Sequence, residues 1–181
     1  MRLCIVSDTH RRRHELLASV KTVQPIDAIL HAGDETSDAS WLSERVDWPV
    51  LGVAGNWDKA SERYPVERII DRYGPRILLT HGHLLRVKDN LAGLSEKAAA
   101  HQADIVIYGH THIAAVTAES GKLFLNPGSL AEPRGRRERT FALLSISKLP
   151  NGGYTVDVSL VAPSGAHIDD RVVVVGAAQS R

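Results

Sequence analysis

One rhythm restricts this chain more than any other feature. Short runs rich in Leu, Ile and Val stop at Asp8-Thr9-His10, at His31-Ala32-Gly33-Asp34, at Gly55-Asn56-Trp57-Asp58, at His81-Gly82-His83 and at Gly109-His110-Thr111-His112. His10 to Asp34 is 24 residues, followed by 22 to Asn56, 25 to His81 and 29 to His110. Each step has the size of one strand and its crossover helix, and strands joined in this way run parallel. The C-terminal ends of the five strands are therefore expected along one edge of a sheet, where open α/β sheets bind ligands. Continuous runs of four to eight apolar residues suit strands buried on both faces. In the last run, Ile105-Val106-Ile107-Tyr108, an extended chain carries His110 and His112 to the same side, because successive side chains alternate.

The intervening segments fit this plan. Strands are predicted over residues 2–7, 26–30, 50–54, 76–80 and 104–107. Leu16, Leu17, Val20 and Val23 follow helical spacing, which predicts a helix over 11–23 that ends before Pro25. A short helix is predicted over 39–46, with Asp38 as its N-cap. A further helix is predicted over 64–72, and another over 90–102 with Leu91, Leu94, Ala98 and His101 on one stripe. The second half reads differently. Residues 115–118 and 122–125 flank Glu119-Ser120-Gly121, and 140–147 and 154–161 flank 148–153; both are hairpin signals. Asn126-Pro127-Gly128-Ser129 is a turn, 171–175 a last strand, and 177–181 a tail that frays. This half is expected to form a second, antiparallel sheet packed on the first.

The 181 residues are expected to form a single domain, 1–181. A net charge of +1 supplies no field for nucleic acid or membrane. The lone Cys4 excludes an internal disulfide, and the run around it is too short for a signal peptide or a membrane span. The expected location is cytoplasmic. A homo-oligomer is compatible with all of this.

Collected at the strand ends are Asp8, His10, Asp34, Asn56, His81, His110 and His112: four imidazoles, two carboxylates and one amide oxygen, with no thiolate. Seven ligands exceed one tetrahedral ion and suit two ions that share a ligand. Asp34, alone on its loop and with two oxygens, is the expected bridge. The mixed N/O set points to Mn, Fe, Co, Ni or Zn and away from Mg, Ca or a structural zinc. Two divalent ions less two carboxylates leave a charge of about +2, which favours an anionic substrate. Paired metals clamp a phosphoryl group and lower the pKa of a bound water toward ~7, and the hydroxide attacks phosphorus in line.

Asp8-x-His10, Gly33-Asp34, Gly55-Asn56-x-Asp58, His81-Gly82 and Gly109-His110-x-His112 together resemble the signature of the calcineurin-like metallophosphoesterases. Ser7-Asp8-Thr9-His10, Gly109-His110-Thr111-His112 and Asn126-Pro127-Gly128-Ser129 with Pro133-Arg134 are similar to the small YfcE-type phosphodiesterases in particular. The resemblance covers about residues 1–147. It implies a two-sheet αββα sandwich of mixed parallel and antiparallel strands. It also implies a dinuclear, usually Mn-activated phosphodiesterase acting on a small phosphodiester. By this resemblance Asp8, His10, Asp34 and His112 hold one ion, and Asp34, Asn56, His81 and His110 the other. Many members place a histidine after the motif asparagine, where this chain has Trp57. Indole is no acid near neutral pH, so His83 is the nearest candidate to protonate a leaving group, and Asp58 is expected to anchor a neighbouring loop or histidine.

Arg11 could reach a substrate phosphate and Trp57 could stack on one of its rings. His31 is expected to be a buried histidine and not a ligand, and Trp41 and Trp48 to be packing residues. Residues 134–139 read as a solvated loop. Two alternatives to a phosphodiesterase remain. One is a phosphomonoesterase, which differs only in substrate. The other is a non-catalytic interaction scaffold on the same fold, as in the retromer subunit, which normally goes with eroded ligands.

Overall fold

The computed structural model describes residues 1–150 and 152–176, so the tail expected to fray lies outside the described residues. Two sheets face one another. The first has the order β11-β10-β9-β1-β2-β3, built from β1 (Arg2–Val6), β2 (Ala28–His31), β3 (Val50–Gly52), β9 (Phe141–Lys148), β10 (Tyr154–Val161) and β11 (His167–Val175). The second has the order β4-β5-β6-β8-β7, built from β4 (Glu67–Ile70), β5 (Ile77–Thr80), β6 (Ile105–Ile107), β7 (Ala115–Glu119) and β8 (Lys122–Asn126).

Side-chain alternation explains the layers. Leu3 and Ile5 of β1, and Ala28 and Leu30 of β2, meet Ile77, Leu79, Ile105, Ile107, Leu123 and Leu125 of the second sheet in the central core. The residues between them point outward. Cys4, Val6 and Ile29 pack under Leu16 and Val20 of α1 (Arg13–Lys21) and Leu42 of α2 (Thr36–Ser43). Leu78, Val106 and Phe124 pack under Leu94 and Ala98 of α3 (Ala92–Ala100). Both faces of β1, β2, β5, β6 and β8 are thus covered, which is why their sequences are unbroken apolar runs. The αββα sandwich of mixed strands is as expected, and burial pushes the pKa of the Cys4 thiol up to about 12. No helix among the described residues is long and apolar enough to cross a membrane.

Four expectations need correction. The five strands expected to carry the ligands do not share one sheet: β1, β2 and β3 are parallel in the first, and β5 and β6 are parallel in the second. The switch occurs at 64–72, which is no helix. Pro65 forces its predecessor toward extended backbone, and β4 runs antiparallel to β5 through the β-branched pair Ile69-Ile70. The antiparallel half is likewise divided. β9 pairs with β1 to extend the first sheet, while β8 lies parallel to β6 in the second. Finally, α2 begins at Thr36, so Asp38 lies inside its first turn and is not its cap.

Candidate metal centre

The carboxyl ends of the two parallel strand sets meet at one rim. The Asp8 N–H donates to the Gly33 carbonyl at 2.9 Å and the Gly109 N–H to the His81 carbonyl at 3.1 Å. The His81 imidazole reaches across the sheets to the Ala32 carbonyl, with Nδ1 to O at 2.7 Å. The approach is so close that a Cβ at Gly109 would collide with Ser7 Oγ, and one at Gly55 with Asp34 Oδ1. That is why glycine precedes Asn56 and His110 in these loops.

The loops are sharply bent. Asp8, His10, Asp34, His110 and His112 all have positive φ, between 38° and 66°. Left-handed backbone at non-glycine residues costs of order 1 kcal/mol each and gathers at functional sites. The alternation argument for His110 and His112 therefore fails, because the chain is no longer extended after Ile107. Both histidines reach the site, but at different ends. His112 lies beside His10, with ring centroids 5.1 Å apart, and His110 beside His81, also at 5.1 Å.

Two convergent sets of donor atoms result. At one, His112 Nε2 is 3.1 Å from Asp8 Oδ1 and 3.3 Å from His10 Nε2. At the other, His81 Nε2 is 3.1 Å from Asn56 Oδ1 and 3.3 Å from Asp34 Oδ2. The tautomers follow from the far side of each ring. His112 Nδ1 donates to the Glu132 carbonyl at 2.7 Å and His81 Nδ1 to that of Ala32. A carbonyl only accepts, so both Nδ1 atoms carry hydrogen and the Nε2 lone pairs face electron-rich neighbours. Asp8 Oδ1 is fully buried with no hydrogen bond. Lone pairs that converge without a proton between them repel unless a cation stands there, and this donor set fits divalent transition ions.

Without such a cation, protons must serve. Burial opposes protonation of His81, but the carboxylates of Asp34 and Asp8 outweigh it and raise its pKa; at His112 Asp8 does the same against burial. Asp34 is lowered, its burial outweighed mainly by His81. The imidazole of His110 is pushed down to about 4, by burial first and then by His81.

Each carboxylate has one oxygen held by N–H or O–H donors of the loops, while the other faces an imidazole Nε2. Asp8 Oδ2 accepts from Ser7 Oγ (2.6 Å) and the His110 N–H (3.1 Å); Asp34 Oδ1 accepts from the Trp57 N–H (3.0 Å). Asp8, His10 and His112 form one compact group of ligand atoms, and Asp8, Asp34 and His81 another. The two groups overlap at Asp8, so in this arrangement proximity alone does not single out Asp34 as the shared ligand.

Of the remaining candidates, Asp58 is an anchor by its contacts. Its carboxylate accepts from the N–H groups of Asp34 (3.0 Å), Gly55 (2.8 Å) and Thr36 (2.8 Å) and from Thr36 Oγ1 (2.9 Å). Trp57 is 72% exposed and stands edge-on to His10 at 5.7 Å, so it is not core packing. The ring of His83 lies 5.3 Å from His81, with Nδ1 buried and unbonded and its pKa lowered by burial and by His81. The Arg11 guanidinium is 84% exposed and 3.5 Å from Glu35.

Sequence reasoning missed two supports. Asn126 Nδ2 donates to the Gly109 carbonyl (2.9 Å) and Thr111 Oγ1 (3.0 Å), while Ser129 Oγ donates to the Asp8 carbonyl (2.8 Å) and accepts from the Glu132 N–H (2.9 Å). Read as a turn and as part of the family resemblance, with no contact assigned to it, Asn126-Pro127-Gly128-Ser129 fastens the Asp8 and His112 loops. The second support is buried. The Gly33 N–H donates to His31 Nδ1, which leaves Nε2–H for Thr9 Oγ1, and Thr9 donates to Asp38. His31 is thus the expected buried histidine; burial pushes its pKa down to about 4.

Fold and site together describe a two-sheet α/β protein with a candidate metal centre between its sheets. The sequence profile of the calcineurin-like phosphoesterase superfamily domain matches residues 1–149, and the chain belongs to that family. It is 33% identical over 147 residues to a probable metallophosphoesterase, YsnB, of Bacillus subtilis, covering 81% of this chain and 85% of that one. It is 37% identical over 105 residues to the phosphodiesterase YfcE of Escherichia coli, about half of each chain (52%). A predicted phosphoesterase structure from Streptococcus pneumoniae superimposes with a TM-score of 0.73 at 27% identity over 96% of this chain and 97% of that one. Vacuolar protein sorting 29 of Cryptosporidium parvum shares the fold, with a TM-score of 0.73 at 20% identity over 97% of each chain.

Proposed function

We propose that the protein is a metal-dependent phosphodiesterase with a dinuclear centre. Asp8, His10, Asp34 and His112 hold one ion, Asp34, Asn56, His81 and His110 the other, and Mn is the favoured metal. The reading is carried by one observation. The Nε2 lone pairs of His81 and His112, fixed by their Nδ1–H bonds to carbonyls, face oxygens that have no proton to offer. The ions, when bound, supply Lewis-acid charge for a phosphoryl group and acidify a water toward ~7. The protein's part is preorganisation. Asp58 locks the Asp34 loop, Asn126 and Ser129 lock the loops of His110 and Asp8, and the carbonyls of Ala32 and Glu132 hold two imidazoles in the ligating tautomer. A scaffold on this fold is expected to have eroded ligands, and all seven donor residues are present in this chain, which supports the enzyme.

Elemental analysis after reconstitution with Mn²⁺, paired with hydrolysis of bis(4-nitrophenyl) phosphate, tests the proposal. Two ions per chain and metal-dependent release of nitrophenolate are expected. One ion or none under saturating metal defeats the dinuclear centre, and two ions without turnover of any phosphate ester defeats the enzyme.

A further inference from the structure

A second concavity adjoins the histidine loops. A cavity of about 300 Å³ is lined by Val87, Lys88, Tyr108, Thr111, Ile113 and Arg134, among others, and no carboxylate lines it. Its lining residues neighbour the site along the chain and through the backbone. Thr111 separates His110 from His112, and the Arg134 N–H donates to the His112 carbonyl at 3.0 Å. Val87 packs on Gly82, between His81 and His83, so closely that a Cβ there would stand 2.9 Å from Val87 Cγ1.

The lining has a definite chemistry. Val87 and Tyr108 are buried, at 6% and 4% exposure, and Ile113 is half exposed, so the body of the cavity is apolar. Lys88 and Arg134 are exposed, and neither forms an ion pair among the described residues. Two unneutralised cations over an apolar floor suit an anionic group carried on a compact ring.

We propose, resting on the phosphodiesterase reading, that this pocket receives one of the two groups esterified to the phosphorus, and that this group bears a second phosphate. The substrate class is then a small diester of a phosphorylated ring-bearing alcohol, such as a nucleoside phosphate. A neutral alkyl or aryl substituent fills the apolar part and leaves both cations unused.

Calorimetric titration of the Mn-loaded protein with thymidine 3′,5′-bisphosphate and thymidine 5′-monophosphate is the test. The bisphosphate is expected to bind about tenfold more tightly, the range for charge-assisted hydrogen bonds that stay partly hydrated. Lys88→Ala and Arg134→Ala should each cut that ratio to about threefold, while Lys21→Ala, on the exposed side of α1, should keep it. Equal affinity of the two nucleotides in the wild type, or a ratio untouched by both substitutions, overturns the proposal. The 4-nitrophenyl esters of thymidine 5′-phosphate, with and without a 3′-phosphate, separate this from the reading beneath it. Hydrolysis of both with equal kcat/KM leaves the phosphodiesterase and removes the pocket. Hydrolysis of neither, with the affinity ratio intact, removes the phosphodiesterase and leaves the pocket a phosphate site.

Discussion

Replacing Asp58 separates a structural anchor from a proton carrier. Its carboxylate accepts four hydrogen bonds, two of them from the N–H groups of the buried residues Asp34 and Gly55. In Asp58→Ala the two bonds from Thr36 pass to water at little net cost, since Thr36 is half-buried. The other two donors stay buried and unsatisfied, at about 1–3 kcal/mol each. The expected loss is about 4 kcal/mol, which for a chain of this size lowers Tm by roughly 8–16 °C. Scanning calorimetry in EDTA reads this without metal. Asp58→Asn keeps one acceptor oxygen but turns an NH₂ toward N–H donors, so it should fall between the two. Because Asp58 fixes the Asp34 loop, both variants should also lose metal affinity. A Tm within about 2 °C of wild type, together with a large fall in kcat, would refute the anchor and make Asp58 a proton carrier.

Three further outcomes are expected. Asp34→Asn should weaken both metals together, and His112→Ala mainly one; if Asp8→Asn abolishes both while Asp34→Asn removes one, the shared ligand is Asp8. His31 has a folded pKa of about 4 against about 6.5 unfolded, so the unfolded chain binds more protons between those values. Stability should therefore fall by about 3 kcal/mol as pH drops from 6.5 to 4 and level off below; urea unfolding in EDTA should lose that component in His31→Gln, and identical pH profiles contradict it. Phe124→Ala, beneath α3, should cost about 3–5 kcal/mol in the same assay while the metal count per chain stays at the wild-type value.

Much of this was legible because two-sided burial leaves its mark on composition. Leu3, Cys4, Ile5 and Val6 supply two cores in alternation, and an unbroken apolar run is the only way to write that. The spacing of Asp8, Asp34, Asn56, His81 and His110 marked the rim, since each crossover returns the chain to the same edge. The division into two sheets was hidden, because a crossover within one sheet and a passage to another can have equal length. Pro65 was the available signal that 64–72 is no helix. The bends at His110 and His112 also lay beyond alternation arguments, which hold only while the chain is extended. The bonds from Asn126 to Thr111, from Thr9 to Asp38 and from Ser129 to the Asp8 carbonyl join residues 15, 29 and 121 positions apart, and nothing local announces them.

Trp57 yields the sharpest kinetic expectation. It follows Asn56, donates its backbone N–H to Asp34 and leaves its side chain 72% exposed beside His10. An indole has no proton to give a departing alkoxide near neutral pH. Departure then depends on the stability of the leaving group, and the rate should fall steeply as leaving-group pKa rises. Aryl diesters should turn over well and alkyl monoesters poorly. Trp57→His should recover activity on basic leaving groups by at most about 10²–10⁴-fold, the usual range for general acid catalysis. Trp57→Ala addresses the ring itself. An exposed indole at the mouth of the site can stack on a substrate ring, worth roughly 1–3 kcal/mol per base, and its removal should raise KM for nucleotide-like diesters about tenfold or more. An unchanged KM excludes stacking. If the wild type hydrolyses alkyl monoesters as fast as aryl diesters, the missing-acid argument fails, and His83, 5.3 Å from the His81 ring, is the first residue to replace.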